Sequence, residues 1–251
     1  MLTRDQKTPF DFQERVPQRR QVQVDAIFAD VAVRYDLMND LMSGGLHRAW
    51  KDTLVTAVNP PKDARPFAVL DLAGGTGDVA LRIAAAGGAG TRCAVADINA
   101  EMLAIGGARA YEYGYDISFI EANAEALPFR ERSFDAVTVA FGIRNVPQIE
   151  TALKEAHRVL RIGGRFLCLE FSNADVPGFA ALYELYSSTV IPLLGRVVAH
   201  NEEAYRYLVE SIRRFPPPPT FASMMRAAGF ARARFERMSG GIVTVYSGWR
   251  L

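Results

Sequence analysis

The stretch Phe67-Ala-Val-Leu-Asp71-Leu-Ala-Gly74-Gly75-Thr76-Gly77-Asp78 decides how the chain is read. Its first seven residues are apolar apart from Asp71, the near-continuous run expected of a strand buried on both faces. The loop GGTGD follows, and a short helix is predicted from Asp78 to about Ala86. A glycine loop between a strand and a helix lets a ligand approach the backbone closely and presents helix N-terminal amides.

Outward from this unit the pattern alternates. TRCAVADI (91–98), SFIEAN (118–123), FDAVTVAFGI (134–143) and RFLCLEFS (165–172) read as strands. Helices are predicted from Asn99 toward Ala110 and from about Pro147 to Leu160, the latter ended by Gly163-Gly164. Such alternation implies crossover units and a parallel sheet. After Asp175 it stops, and 177–212 read as helices ending at the run Pro216–Pro219. A helix from Thr220 to Ala228 stops at Gly229. FARARFERM and GIVTVYSGW are then joined by Ser239-Gly240-Gly241, a hairpin signal that places an antiparallel pair at the sheet edge. The fold class is therefore α/β: a Rossmann-like, doubly wound, mostly parallel sheet with a C-terminal antiparallel strand. Before the first strand, Ile27, Phe28, Val31, Tyr35, Met38, Leu41 and Met42 recur at helical spacing. The expected organisation is an N-terminal helical arm or lid (1–60), a cofactor-binding core (61–175), a helical acceptor-site insertion (176–219) and a C-terminal helix and hairpin completing the sheet (220–251).

Composition narrows the function. The 251 residues are 49% hydrophobic and 23% charged, with a formal net charge of +1. That excludes a disordered or collagen-like chain. It also argues against a nucleic-acid binder, which needs a basic face. Cys93 and Cys168 lie in apolar runs and read as free thiols of a reducing compartment. The N-terminus lacks the apolar core of a signal peptide, and 179–199, with Glu184, Pro192 and Arg196, makes a poor membrane span. The three histidines and two cysteines show no metal-ligand spacing.

Charge separates the ligands that the glycine loop could hold. Gly75-x-Gly77-x-x-Ala80 with Asp97 further on also fits a dinucleotide fingerprint loosely. A pyrophosphate there would lie near Asp71 and Asp78, which repel it. S-adenosyl-L-methionine carries a sulfonium and an ammonium, which those carboxylates attract. Asp97, at the end of the second strand, can accept both hydroxyls of an adenosine ribose. Asn123 and Ala124 are placed to meet the adenine edge. The cofactor-binding set is thus Asp71, Gly74, Gly75, Thr76, Gly77, Asp97, Ile98, Asn123 and Ala124. A nicotinamide-dependent oxidoreductase competes, without any catalytic Tyr-x-x-x-Lys element to support it.

Two longer stretches carry a resemblance. Tyr35-Asp36-x-Met38-Asn39-x-x-Met42-Ser43-x-x-x-His47-x-x-Trp50 resembles the first signature of the ubiquinone/menaquinone C-methyltransferase family. Arg158-Val159-Leu160-Arg161-Ile162-Gly163-Gly164-Arg165-Phe166-x-x-Leu169-Glu170-x-Ser172 resembles its second. DLAGGTGD, AFGIRNV (140–146) and YLVESIRRFP (207–216) match as well. Ile162 stands where the family usually has proline, and Ala140 where bacterial members often have a serine near the cofactor, so Ala140 offers only its backbone or methyl.

The resemblance implies a class I methyltransferase fold, S-adenosyl-L-methionine as donor, and C-methylation of a polyprenylated benzoquinol or naphthoquinol. Arg144, just past the fourth strand, is then expected to stabilise a quinol oxyanion directly or through a water, with Asn145 orienting it; pairing of Arg144 with a carboxylate to hold the loop is the alternative. Tyr35 and Met38 are expected to close over the cofactor. His47 is a weaker candidate base, His157 reads as structural, and His200 lies outside the motifs. Tyr183 and Tyr186, with Leu182 and Leu185, either belong to the core or wall a pocket for the isoprenoid tail. That tail implies peripheral contact with the inner face of a membrane by an otherwise cytoplasmic protein. Arg19-Arg20 and Arg213-Arg214 are solvated charges or contacts to headgroups and to other quinone-biosynthesis enzymes. The family analogy is compatible with a homodimer. A non-catalytic S-adenosylmethionine-binding scaffold is the reading from another class.

Overall fold

In the computed structural model, which describes residues 45–172, 207 and 210–251, the run Phe67–Leu72 is strand β1, one of the inner strands of a seven-stranded sheet. The elements follow in the order α1 (Leu46–Val58), β1, α2 (Asp78–Ala86), β2 (Thr91–Asp97), α3 (Ala100–Glu112), β3 (Ile117–Glu121), β4 (Phe134–Ala140), α4 (Ile149–Val159), β5 (Leu160–Phe171), α5 (Pro218–Ala227), β6 (Ala231–Met238) and β7 (Val243–Trp249). The strand order is β3-β2-β1-β4-β5-β7-β6. The first five strands are mutually parallel; β7 runs antiparallel to both β5 and β6. The hairpin predicted at Ser239–Gly241 forms, as a short 3-10 turn with Gly240 and Gly241 at positive φ. β7 is the reversed strand, inserted between β5 and the edge strand β6.

Continuous apolar runs bury both faces of the inner strands. On one face, Leu70, Leu72, Val137, Val139 and Phe166 pack with Leu153, Ala156 and Phe221 of α4 and α5. On the other, Val69, Val95, Ala136, Leu167 and Leu169 pack with Trp50, Leu54, Val58, Val79 and Ile83 of α1 and α2. In α1 the residues 47, 50, 51, 54, 55 and 58 are buried, the i, i+3, i+4 stripe of a helix lying on a core. The Trp50 indole N–H donates to Ser239 Oγ at 2.8 Å, tying α1 to the hairpin.

β4 ends at Ala140, short of the predicted 143, and the largest boundary difference lies at the start of β5. The fourth helix ends at Val159, and Gly163-Gly164 lie inside β5 rather than capping the helix. Leu160 is already extended and pairs with Phe134, and the next pairing is Ala136 with Arg165. The residues between bulge outward, where Gly163 adopts φ 81° and exchanges backbone hydrogen bonds with Arg250 through itself and Gly164. Ile162 is 66% exposed on this bulge, so a proline or an isoleucine there meets the same solvent.

Among the described residues no helix is long and apolar enough to cross a membrane, and no group of His, Cys, Asp or Glu is arranged to hold a metal ion. Cys93 and Cys168 are buried free thiols. His157 packs edge-on against Phe230. The motif residues Tyr35 and Met38, and Tyr183, Tyr186, His200, Arg19 and Arg20, lie outside the described residues.

Candidate active site

The strand order reverses between β1 and β4, and open α/β sheets bind ligands beyond the strand ends at such a switch point. A cleft of about 1000 Å³, open to solvent, lies there. The glycine loop forms one wall. Gly75 and Gly77 adopt φ 55° and 73°, conformations that cost a side-chain-bearing residue strain. The Gly77 N–H closes a turn onto the Gly74 carbonyl at 2.9 Å. A Cβ at Gly74 would sit 2.8 Å from Asp71 Oδ2 and 2.9 Å from Val95 Cγ1. The loop can therefore lie over the β1 carboxylate only with glycine at that position.

Asp71, at the end of β1, is 1% exposed. Its Oδ1 accepts a hydrogen bond from Thr138 Oγ1 at 2.8 Å, while Oδ2 has no donor in good geometry. Burial raises its pKa to about 7, against the lowering effects of Thr138 and Lys51. Asp97 ends β2. Its Oδ2 accepts from the Gly75 N–H at 2.8 Å and its Oδ1 from the Asn99 N–H at 2.9 Å, which bonds the second strand to the glycine loop. Asp78 begins α2, and its carboxylate receives Lys51 Nζ at 2.9 Å and Arg82 Nε at 3.0 Å. Despite burial, these two cations hold its pKa below the usual range.

Of the sequence-derived residues, Asp71, Gly74, Gly75, Thr76, Asp97, Ile98, Asn123, Ala124, Ala140 and Asn145 line this cleft. Gly77 does not; it caps α2, where an added Cβ would meet the Phe119 ring at 2.9 Å. Arg144 does not line it either. Its guanidinium lies behind the 3-10 turn Ile143–Asn145, where Nη1 contacts Glu170 Oε1 at 2.7 Å and donates to the Phe141 carbonyl. Both side chains of this pair are nearly inaccessible, at 6% and 0%. The guanidinium also stacks over the Phe171 ring at 5.5 Å. This is the loop-holding arrangement weighed as the alternative for Arg144.

Two residues at the site escaped the sequence reading. Lys51 of α1 lines the cleft with its Nζ on Asp78. Tyr207 donates its hydroxyl to Asn145 Oδ1 at 3.0 Å. Tyr207 heads the quoted YLVESIRRFP motif, which was the one signal available for it.

Three carboxylates and one lysine make the cleft wall net negative and give it an acceptor-rich chemistry. Such a lining suits a cationic nucleoside: Asp97 offers a carboxylate beside Asn123 and Ala124, and Asp71 keeps a buried oxygen without a donor. A pyrophosphate would meet Asp71 and Asp78 where the dinucleotide fold needs free amides.

Comparison with known proteins agrees with this geometry. Residues 16–250 match the family model described as the ubiE/COQ5 methyltransferase family. A relative from Rhodopseudomonas palustris (strain HaA2), named a ubiquinone/menaquinone biosynthesis C-methyltransferase, is 58% identical, with 98% of each chain covered. One of the same name from Nitrobacter hamburgensis is 58% identical over 97% of each chain. Among solved structures, a SAM-dependent methyltransferase from Aquifex aeolicus superposes with a TM-score of 0.56 at 12% identity, over 80% of this chain and 89% of that one, a likeness of fold. The chain belongs to the ubiE/COQ5 methyltransferase family.

Proposed function

We propose that the protein methylates a ring carbon of a polyprenylated quinol, a 2-methoxy-6-polyprenyl-1,4-benzoquinol or a demethylmenaquinol, in ubiquinone/menaquinone biosynthesis. The observation that carries this reading is the set of three carboxylates, Asp71, Asp78 and Asp97, around the glycine loop of a chain 58% identical to enzymes of that name. S-adenosyl-L-methionine supplies an electrophilic methyl group on a sulfonium.

The chain's own residues bind and orient. Gly74, Gly75 and Thr76 admit the cofactor to the backbone, with Gly77 setting the turn. Asp97 accepts ribose hydroxyls; Ile98, Asn123 and Ala124 border the adenine. Asp71 faces the cationic end. Ala140 presents its methyl group to the cleft, and Tyr35 and Met38 close over the cofactor by family analogy.

On the acceptor side, Asn145 orients a ring oxygen. Arg144 acts as a positioning residue: its bonds to Glu170 and to the Phe141 carbonyl hold the 141–147 wall at a fixed distance from the loop. A hydroquinol ring is already a carbon nucleophile, so alignment and water exclusion supply much of the acceleration. The apolar tail of such a substrate calls for contact with a membrane surface near the cleft mouth.

An anaerobic assay with methyl-labelled S-adenosylmethionine and two chemically reduced short-chain acceptors, offered separately, tests the reading. Label on a ring carbon is expected, and the ratio of rates identifies the preferred ring. Cofactor binding with no label on either ring would leave the scaffold reading in its place.

A further inference from the structure

The geometry points to Lys51 as the residue that binds the carboxylate of the cofactor's amino-acid end. The inference rests on the methyl donor proposed above and is independent of which acceptor is used.

Lys51 belongs to α1, outside the strand–loop–helix unit that marks the ligand site. Its side chain is 6% exposed and lines the cleft. Among the described residues that line it, Lys51 is the only lysine or arginine. An ammonium group is buried at a cost unless something offsets its charge. Asp78 does so in part, through Oδ2 at 2.9 Å. Yet Asp78 has another cation, because Arg82 Nε reaches its Oδ1 at 3.0 Å while Arg82 Nη1 pairs with Asp52 at 2.6 Å. A lysine ammonium carries three N–H donors, and Asp78 takes one.

A pocket shaped only for a sulfonium and an ammonium would gain nothing from this lysine, which weakens the attraction of Asp71 and Asp78 for cations. Its presence fits a ligand that also carries an anion at that end. S-adenosylmethionine and its product S-adenosylhomocysteine are such ligands: each ends in a zwitterion. Asp97, Asn123 and Ala124 offer the nucleoside contacts, and Lys51 lines the same cleft with its ammonium held on Asp78 at the start of α2. The ammonium then lies toward the Asp71 end of β1, and the carboxylate takes a donor from Lys51 Nζ.

The test is titration calorimetry on the full chain with S-adenosylhomocysteine and with its decarboxylated analogue, which lacks only the carboxylate. The wild type should bind the intact ligand tighter by about thirtyfold or more, the scale for removing one partner of a buried charge pair. Lys51→Met should lose that preference by weakening S-adenosylhomocysteine, while binding the cationic analogue at least as tightly as the wild type does. Lys51→Arg should keep most of the preference. A preference that persists in Lys51→Met overturns the inference, as does equal weakening of both ligands, the mark of a merely structural lysine. A wild type that binds both ligands equally overturns it without any variant, while the methyl-donor reading stands. A wild type that binds neither overturns both.

Discussion

Arg144 and Glu170 form an ion pair of 2.7 Å, buried behind the wall of the cleft rather than facing it. Burial raises the Glu170 pKa, opposed by the Arg144 charge and by the Phe171 N–H. Removing one partner of such a pair strands the other, at a cost of about 3–5 kcal/mol, whereas replacing both with apolar residues of similar volume is often neutral. Glu170→Met and Arg144→Met should each lower stability on that scale in denaturant titrations. The double variant should recover most of the loss yet stay slow in the label assay, because the Phe141 carbonyl remains unbraced. Full recovery of turnover in the double variant would mean that the pair does nothing for the wall.

Asp71 has its pKa raised by burial to about 7. In the unfolded chain it titrates near 3.8. Between these values the folded protein binds the extra proton, so this group's contribution makes stability fall as pH rises from about 4 through 7. Below that window the penalty is absent, and above it is complete. The charged groups acting on it are Lys51, which opposes the shift, and Asp78, which adds to it. Melting curves of the wild type and Asp71→Asn, taken from pH 5 to 8, should diverge, the variant gaining relative stability at high pH. S-adenosylhomocysteine, whose ammonium favours the ionised carboxylate, should reduce the divergence. Parallel curves would show that Asp71 does not change protonation state across this range.

What was legible in the sequence was what is local. A strand, five residues of loop and a helix place Asp71, Gly74, Gly75 and Thr76 by local geometry. Asp97 and Asn123 follow because parallel neighbours align their carboxyl ends. The burial of Arg144 was not legible, because it depends on how far β5 advances past the 3-10 turn, a register set by the bulge at Gly163. Nor was the slot of β7 between β5 and β6: the hairpin signal fixes the pairing of β6 with β7 but not which of them meets β5. Lys51 escaped notice because a lysine on a helical stripe reads as a solvated charge until the sheet packs beneath it.

The two leading loop glycines should respond differently to a methyl group. At Gly74 the added Cβ meets the Asp71 carboxylate and Val95 at under 3 Å, and neither can retreat from the core. At Gly75 it meets the flexible end of Met102 at 2.9 Å, with a strained φ of 55° as the main cost. That strain is worth about 1–2 kcal/mol, against an overpacking cost of about 1–3 kcal/mol at Gly74. The stability losses are thus similar in size, but the effect on binding is not. Gly74→Ala should weaken S-adenosylhomocysteine by about tenfold more than Gly75→Ala does, since it displaces Asp71. Equal effects on the ligand would mean that Asp71 does not contact it.

Tyr207 O–H donates to Asn145 Oδ1 at 3.0 Å, and this bond engages the oxygen end of the carboxamide. With the oxygen engaged by the phenol, the NH2 group is left as the donor available to an acceptor oxygen. Tyr207 is 8% exposed, so its hydroxyl is held in place with little competition from water. Tyr207→Phe should then permit the amide to flip and present an acceptor to an oxygen that needs a donor. Loss of one such positioned donor costs about 10²–10³-fold in turnover; a flip equilibrium should cost less, about tenfold, with S-adenosylhomocysteine affinity unchanged within about twofold. Asn145→Ala removes the donor outright and should be slower still. Adding Tyr207→Phe to Asn145→Ala should then have little further effect, because the two act as one unit. Independent, multiplicative losses in the double variant would separate Tyr207 from Asn145 and give the tyrosine a contact of its own with the acceptor.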